Sequence, residues 1–357
     1  MADEIGLLFT KVNSTLNLSF NKYANPKTTY SLHDCEVIYL EFRNPSQRRM
    51  RVKLIFNPIA GANSESPVQL MDVIKEMQAW KFIPEPFLIE PDCDLPGVVR
   101  DAAAQGIKMI VVCGGDGTVS SVARAVLGTN AVLGIIPLGT RNNIALSLGI
   151  PNDIQAAIAL LRTGYRRKID MGNSTCEGIS TPFIELCSVG LFSTLFSTGD
   201  DIQHGNIGRI GDFLATLTST PPSEIHLLLD NKKEIQKLGH VLLVSNMSYV
   251  GLHFLVGRPD SFYDGYLDVL FFADLSKLDL IGYVLKGPGT SRQEDPRIQH
   301  FRVRRAVITT HPAMPVMADG IDIGTGSVSI EVQRHALTIM AALPLSKANV
   351  PGKNREE

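Results

Sequence analysis

The sequence predicts an α/β fold in which a doubly wound, largely parallel domain is followed by a β-sandwich-like second domain. Between Arg51 and Asp170, short apolar runs alternate with stretches of helical spacing. After Asp170, strand-like runs follow one another with few helical patterns between them. The chain has 357 residues, which suits two cores, since domains usually hold ~100–200 residues.

The first half supplies the clearest pattern. Val52 to Phe56 is a short, mostly apolar run that stops at Asn57-Pro58, as a buried strand entering a turn does. Val68, Met71, Ile74 and Met77 fall at helical spacing. Phe87 to Ile89 is a second strand, Leu95 to Gln105 a second helix, and Met109 to Cys113 an all-apolar strand covered on both faces. Val119 to Leu127 is helical, Leu133 to Pro137 is a strand, and Asn143 to Leu148 and Ile154 to Leu161 are helices. In the second half, strands are expected at Phe183–Cys187, Ile225–Leu229, His240–Ser245, Leu267–Phe272, Phe301–Thr309 and Val328–Val332. The helical patterns there are Ile210–Thr216 and Leu278–Val284. The expected divisions are an N-terminal strand or arm over 1–50, with a strand at Val37–Phe42, then domains over 51–170 and 171–345. A polar, flexible tail covers 346–357.

Composition narrows the function classes. Hydrophobic residues make up 44% and charged residues 20%, an ordinary globular balance. The net charge of -2 and pI near 6.5 give no nucleic-acid footprint. The basic groups Arg166-Arg167-Lys168 and Arg302, Arg304, Arg305 are short, suited to solvated faces or a local anion site. Five cysteines without a CxxC pair fit a reducing cytoplasm rather than a zinc or disulfide framework. The start Met1-Ala2-Asp3-Glu4 is no signal peptide. No apolar run reaches the ~18–20 residues of a membrane span, so a membrane substrate must be met from the surface. Exposed sandwich edges could pair in a homo-oligomer.

Gly114-Gly115-Asp116-Gly117-Thr118 follows a buried strand and opens a helix. Glycines let the backbone approach a ligand, and the N–H groups and dipole at a helix start favour an anion. Thr118 adds a hydroxyl, and Val119 and Ser120 continue the first turn. Asp116 beside a phosphate needs a cation between them, which magnesium carried by ATP would provide. A tight strand–helix turn with a capping Asp is the bland alternative. Asn57-Pro58-Ile59-Ala60-Gly61 and Pro137-Leu138-Gly139-Thr140-Arg141-Asn142-Asn143 occupy the corresponding ends of two other strands. In a doubly wound sheet such loops line one edge. The Gly-x-x-x-x-Gly-Lys-Ser/Thr and Gly-x-Gly-x-x-Gly patterns are absent.

These segments, with Ile169-Asp170, Asp264-Gly265-Tyr266-Leu267-Asp268 and Asp319-Gly320, resemble the diacylglycerol kinase catalytic-domain family, and within it the small soluble bacterial lipid kinases. The resemblance runs from about Arg51 to Leu343. It implies transfer of the ATP γ-phosphoryl group to a lipid hydroxyl at a site between the two domains. Asn57, Pro58, Gly61 and the segment Gly114–Ser120 would hold the nucleotide, with Gly139, Thr140 and Asn142 beside them. Asp116 would organise the catalytic magnesium. Asp264 would mark a second, structural magnesium, completed by backbone carbonyls near Ser261 and Tyr266.

One position departs from the pattern. The family usually carries a glutamate directly after this second Asp-Gly, proposed as the general base, and here Ile321 and then Asp322 follow Gly320. Isoleucine accepts no proton. Asp322 or Asp319 could supply the carboxylate. A base could be dispensable, or come from elsewhere, because phosphoryl transfer depends mainly on positioning and charge. Or the chain is a nucleotide- or lipid-binding sensor with impaired catalysis. An NAD kinase shares the Gly-Gly-Asp-Gly-Thr segment, but its Asn-Glu pair is missing after the fourth strand. Arg141 could reach a phosphate or face solvent. His253, His311 and Trp80 read as structural. The Ser245–Gly251 loop and the apolar stretch Leu191–Phe196 are candidates for a substrate-facing surface, or for ordinary core.

Overall fold

The computed structural model describes residues 9–12, 15–18, 29–30, 49–60, 66–191, 221–250, 254–255, 258, 261–276, 279 and 297–342. The expected strand at Val37–Phe42, the helix at Ile210–Thr216, the helix at Leu278–Val284 apart from helical Asp279, Gly61, His253, Phe192–Phe196 and the tail lie outside the described residues. Strands β1 (Phe9–Val12), β2 (Thr15–Leu18) and β3 (Thr29–Tyr30) form a small antiparallel sheet.

The first half is α/β, as its alternating pattern predicts. In chain order it contains β4 (Met50–Phe56), α1 (Ser66–Ala79), β5 (Phe82–Leu88), α2 (Leu95–Ala104), β6 (Met109–Gly114), α3 (Asp116–Val126), β7 (Val132–Pro137), α4 (Asn143–Ser147) and α5 (Ile154–Thr163). The strands are parallel in the order β5-β4-β6-β7. Every residue of β6 and β7 is buried because helices cover both faces. Val73 and Met77 of α1 and Ile158 and Leu161 of α5 pack on one face. Val99 of α2 and Val119, Val122 and Ala123 of α3 pack on the other. Helix starts follow local rules. Asp94 Oδ1 accepts the Gly97 N–H at 2.9 Å before α2, and Asp153 Oδ1 accepts the Ala156 N–H at 2.8 Å before α5.

The second half adds β8 (Tyr165–Cys176), β9 (Ile179–Phe183), β10 (Leu186–Gly190), β11 (Ser223–Leu229), β12 (Lys233–Ser245), β13 (Tyr249–Val250), β14 (Phe254–Leu255), β15 (Leu267–Ala273), β16 (Ile298–Val303), β17 (Arg305–His311), β18 (Pro315–Ala318), β19 (Ile321–Thr325) and β20 (Val328–Ala341). These pair antiparallel around a core that includes Phe183, Val244, Phe271 and Ile308. The two halves share one sheet. β20 runs antiparallel to β8 and β17, and its end pairs with β7 in parallel through Ile339 and Leu133.

Several strands differ from expectation: β5 starts at Phe82 and ends at Leu88, β12 starts at Lys233, and β8, β18 and β19 add to those expected. The run Phe183–Cys187 breaks at Ile184–Glu185, separating β9 from β10; a distant carboxylate binds the amides of this break, as described below. The run Phe301–Thr309 divides at Arg304 into β16 and β17, where Asp230 Oδ1 accepts the N–H groups of Arg304 and Arg305 at 2.8 and 2.9 Å. β20 extends nine residues past Val332 to Ala341. It does so through an irregularity between Gln333 and Leu337, where His335 has φ 53°.

Candidate functional site

Three loops meet at the carboxyl ends of β4, β6 and β7. The register sets Phe56 beside Cys113 and Gly114 beside Pro137. Asn57 donates its backbone N–H to the Cys113 carbonyl at 3.0 Å and its Nδ2 to Thr118 Oγ1 at 2.7 Å. Its Oδ1 accepts the Ile59 N–H at 3.1 Å, turning the chain at Pro58. Gly115 and Gly139 face one another across two loops. A Cβ built on Gly139 would lie 2.5 Å from Gly115 Cα, and one on Gly115 would lie 3.1 Å from Gly139 Cα. Only glycine permits that approach. A Cβ on Gly114 would meet the Thr118 side chain at 2.8 Å.

The remaining residues expected here divide by position. Gly117 and Thr140 are exposed. Asn142 is buried at φ 51°, and its side chain closes its own loop: Oδ1 accepts the Gly139 N–H at 2.9 Å and Nδ2 donates to the Gly139 carbonyl at 2.8 Å. Val119 points into the core and its N–H donates to the Gly115 carbonyl at 2.9 Å. Ser120 is buried, and its Oγ has no hydrogen-bond partner. Asp116 opens α3 and also caps α4, with Oδ2 accepting the Asn143 N–H at 3.0 Å and Oδ1 the Ile144 N–H at 2.9 Å. Arg141 is half-buried; burial lowers its pKa, while Asp116 and Glu185 favour its charge.

The opposite side of the site is organised by Asp319. This residue sits at φ 45° in the turn between β18 and β19. Its Oδ2 accepts the Ile184 N–H at 2.9 Å, and its Oδ1 accepts the N–H groups of Glu185 and Leu186 at 2.9 and 3.1 Å. Arg124 of α3 donates to Oδ2 at 3.2 Å. The pair is buried, with side-chain exposures of 17% for Arg124 and 1% for Asp319. Burial raises the Asp319 pKa, opposed by the Ile184 N–H and the Arg124 charge. Asn246 fixes the same turn from behind: its N–H donates to the Glu185 carbonyl at 2.9 Å, and its Nδ2 to the carbonyls of Ile184 and Asp170 at 3.1 and 2.9 Å.

Glu185 is the residue that the sequence reading passed over. It stands in the break between β9 and β10, and its charge interacts with Asp116, Asp319, Arg141 and Arg124. Burial, and then Asp116 and Asp319, push its carboxyl well above the usual range, while the two arginines act in the other direction. Its Oε1 is buried with no hydrogen-bond partner, while the residue as a whole keeps partial exposure. The available signal was one charged residue inside the apolar run Phe183-Ile184-Glu185-Leu186-Cys187.

Ile321 and Asp322 lie in β19. Ile321 is 43% exposed. Asp322 is exposed and its Oδ1 accepts the Gly324 N–H at 3.0 Å. Its charge and that of Glu177 act on the Cys176 thiol, whose pKa is raised first by burial. Thus Asp322 faces the β8–β9 hairpin.

The Asp264 turn forms a third centre. Asp264 Oδ1 accepts the Tyr266 N–H at 2.9 Å, and Oδ2 accepts a hydrogen bond from Arg302. Burial raises the Asp264 pKa, against the Tyr266 amide and Arg302. Ser261 Oγ lies 2.8 Å from the Arg258 carbonyl and 3.2 Å from Asp268 Oδ2. Asp170, fully buried, accepts the Gly265 N–H at 2.7 Å and the His335 N–H at 2.8 Å, tying this turn to the irregularity in β20. Trp80 packs in the first-half core and donates to Glu76 Oε1 at 3.0 Å. His311 is exposed at the end of β17.

Comparison with known proteins places two family models on the chain. Residues 51–174 match the diacylglycerol kinase catalytic domain. Residues 210–341 match the YegS C-terminal NAD kinase beta sandwich-like domain. A diacylglycerol kinase of Bacillus subtilis is 25% identical over 279 residues, covering 76% of this chain and 89% of that one. One from Mycobacterium tuberculosis is 28% identical over 234 residues, 64% of this chain and 74% of the other. An uncharacterized Synechocystis protein is 26% identical over 306 residues, 81% of this chain and 69% of its own. The crystal structure of a diacylglycerol kinase from Bacillus anthracis superposes with a TM-score of 0.62 at 20% identity, covering 83% of this chain and 98% of that one. That likeness bears on the fold.

Proposed function

We propose that this chain, whose residues 51–174 match the diacylglycerol kinase catalytic domain, transfers the γ-phosphoryl group of ATP to the hydroxyl of diacylglycerol or a related lipid. The observation that carries this reading is the contact of the glycine loops. Gly115 and Gly139 lie backbone to backbone where Asn57 and Thr118 join, at the start of α3. Such an edge of small residues at a helix N-terminus suits a polyphosphate. In this reading Asn57 and Thr118 fix the loop, Gly114, Gly115 and Gly139 admit the phosphates, and Arg141 adds positive charge.

Among the described residues, no three His, Cys, Asp or Glu side chains gather as a metal cage. That fits magnesium brought in on nucleotide phosphates and met by one or two carboxylates, with Asp116 as the organising group. When bound, the ion would neutralise charge on the phosphates. The Asp264 turn fits a second ion less well, because Arg302 already supplies positive charge to that carboxylate. No step is assigned to a metal there.

Among the described residues no helix is long and apolar enough to cross a membrane. We place the protein in the cytoplasm, meeting its lipid at the membrane surface. The test is incubation with labelled ATP, magnesium and mixed micelles containing a panel of lipid alcohols, with NAD as a soluble control. Label on diacylglycerol or a related lipid supports the reading. Label on NAD, or on no acceptor despite ATP binding, overturns it.

A further inference from the structure

The carboxylates around the glycine loops differ in what holds them. Both Asp116 oxygens accept amide protons at the start of α4. Asp319 is enclosed, accepting three amide protons and Arg124. Asp322 lies on β19 against the Cys176 hairpin. Glu185 stands apart from these. Its main chain is fixed on both sides, by Asp319 at its N–H and by Asn246 at its carbonyl. Its side chain retains a buried oxygen, Oε1, with no hydrogen-bond partner.

We propose that Glu185 is the general base of the phosphoryl transfer, supplying from the β9–β10 turn the carboxylate that is missing at Ile321. This rests on the lipid-kinase reading above. A buried acceptor with no partner costs free energy, and this one, on a residue held beside the Asp319–Arg124 pair, is explained if a substrate hydroxyl provides the missing donor. As the acceptor oxygen forms its bond to the γ-phosphorus, its O–H bond breaks and the proton passes to the Glu185 carboxylate. The bond from the γ-phosphorus to the bridging oxygen breaks, and its electron pair leaves with ADP. Burial, then Asp116 and Asp319, raise the proton affinity of Glu185, and Arg141 and Arg124 oppose that rise. Asp319 is then a positioning residue, acting through the amides of Ile184, Glu185 and Leu186. Through those amides the main chain of Glu185 is held beside the Asp319–Arg124 pair.

The test compares the parent protein with Glu185→Gln and Glu185→Asp. ATP binding is followed by calorimetry, folding by thermal melting, and transfer by label on lipid and on water. Glu185→Gln should lower kcat by about 10²–10⁴-fold. ATP affinity should stay within about twofold, and Glu185→Asp should recover part of the rate. A Glu185→Gln rate close to the parent's overturns the assignment. So does a loss of ATP affinity matching the loss of rate, because that marks a residue that holds nucleotide or structure. If the parent labels no lipid but hydrolyses ATP, the lipid reading fails alone, and Glu185 is judged on hydrolysis by the same criteria. If neither lipid nor water is labelled, both proposals fall.

Discussion

The glycine loops and the Ile184–Leu186 turn face the same site but are built in different ways. The loops are short, local segments. Each follows a buried strand, and each is shaped by its own glycines and by Asn57, Thr118 and Asn142 within or beside it. The turn has no such internal chemistry. Its amides are collected by Asp319, 133 to 135 residues away, and joined to α3 by an ion pair spanning 195 residues. A local site tolerates distant substitutions, whereas a site assembled at long range depends on single side chains.

The largest effect should come from breaking the long-range side. Asp319→Ala leaves Arg124 buried without its partner and three amides without an acceptor, so it should cost about 3–5 kcal/mol of stability in urea unfolding. A loss under about 1 kcal/mol would mean that the pair is effectively solvent-screened and that the two regions do not differ as described.

Next comes the local side. Gly139→Ala puts a methyl group 2.5 Å from Gly115 Cα and should separate the loops, weakening ATP binding about tenfold, or ~1.4 kcal/mol, by calorimetry. The fold should persist, because the displacement stays at the sheet edge. Unchanged affinity would remove this loop contact from the nucleotide reading.

A smaller effect concerns proton linkage. A carboxyl whose folded-state pKa lies above its unfolded value favours folding at low pH, and that contribution is lost as pH rises through the folded value. Glu185 is shifted in this direction, and glutamine imitates its protonated form. Melting temperatures should therefore show Glu185→Gln above the parent at about pH 8 and level with it at about pH 4. The opposite order would mean that Glu185 is charged and well paired in the folded protein. The smallest effect is expected at Asp322→Asn, exposed on β19. Stability should change by about 0.5 kcal/mol or less and the transfer rate should hold; a hundredfold loss would move the base to β19.

Much of the first half was legible because its signals are local. Buried parallel strands show as apolar runs such as Met109–Cys113, and the glycine loops stand directly at their ends. Asp170 was visible as part of a motif, yet its work was not. It binds the amides of Gly265 and His335, 95 and 165 residues along the chain. Ile321 drew attention to the turn after Gly320, while the carboxylate with an unpartnered oxygen lay in a segment that looked like an uninterrupted strand.

The sequence by itself determined the α/β character, the placing of glycines at strand ends and the family that those loops signal. Propensity, hydrophobic period and turn chemistry act over a few residues and can be read along the chain. Tertiary contacts alone broke Phe183–Cys187 at Glu185, enclosed Asp319 with Arg124, turned Asp322 toward Cys176 and set Arg302 against Asp264. Hydrogen bonds and charge pairs of that kind depend on which distant residues fold together. A carboxylate's role depends on its partners as much as on its place in a motif.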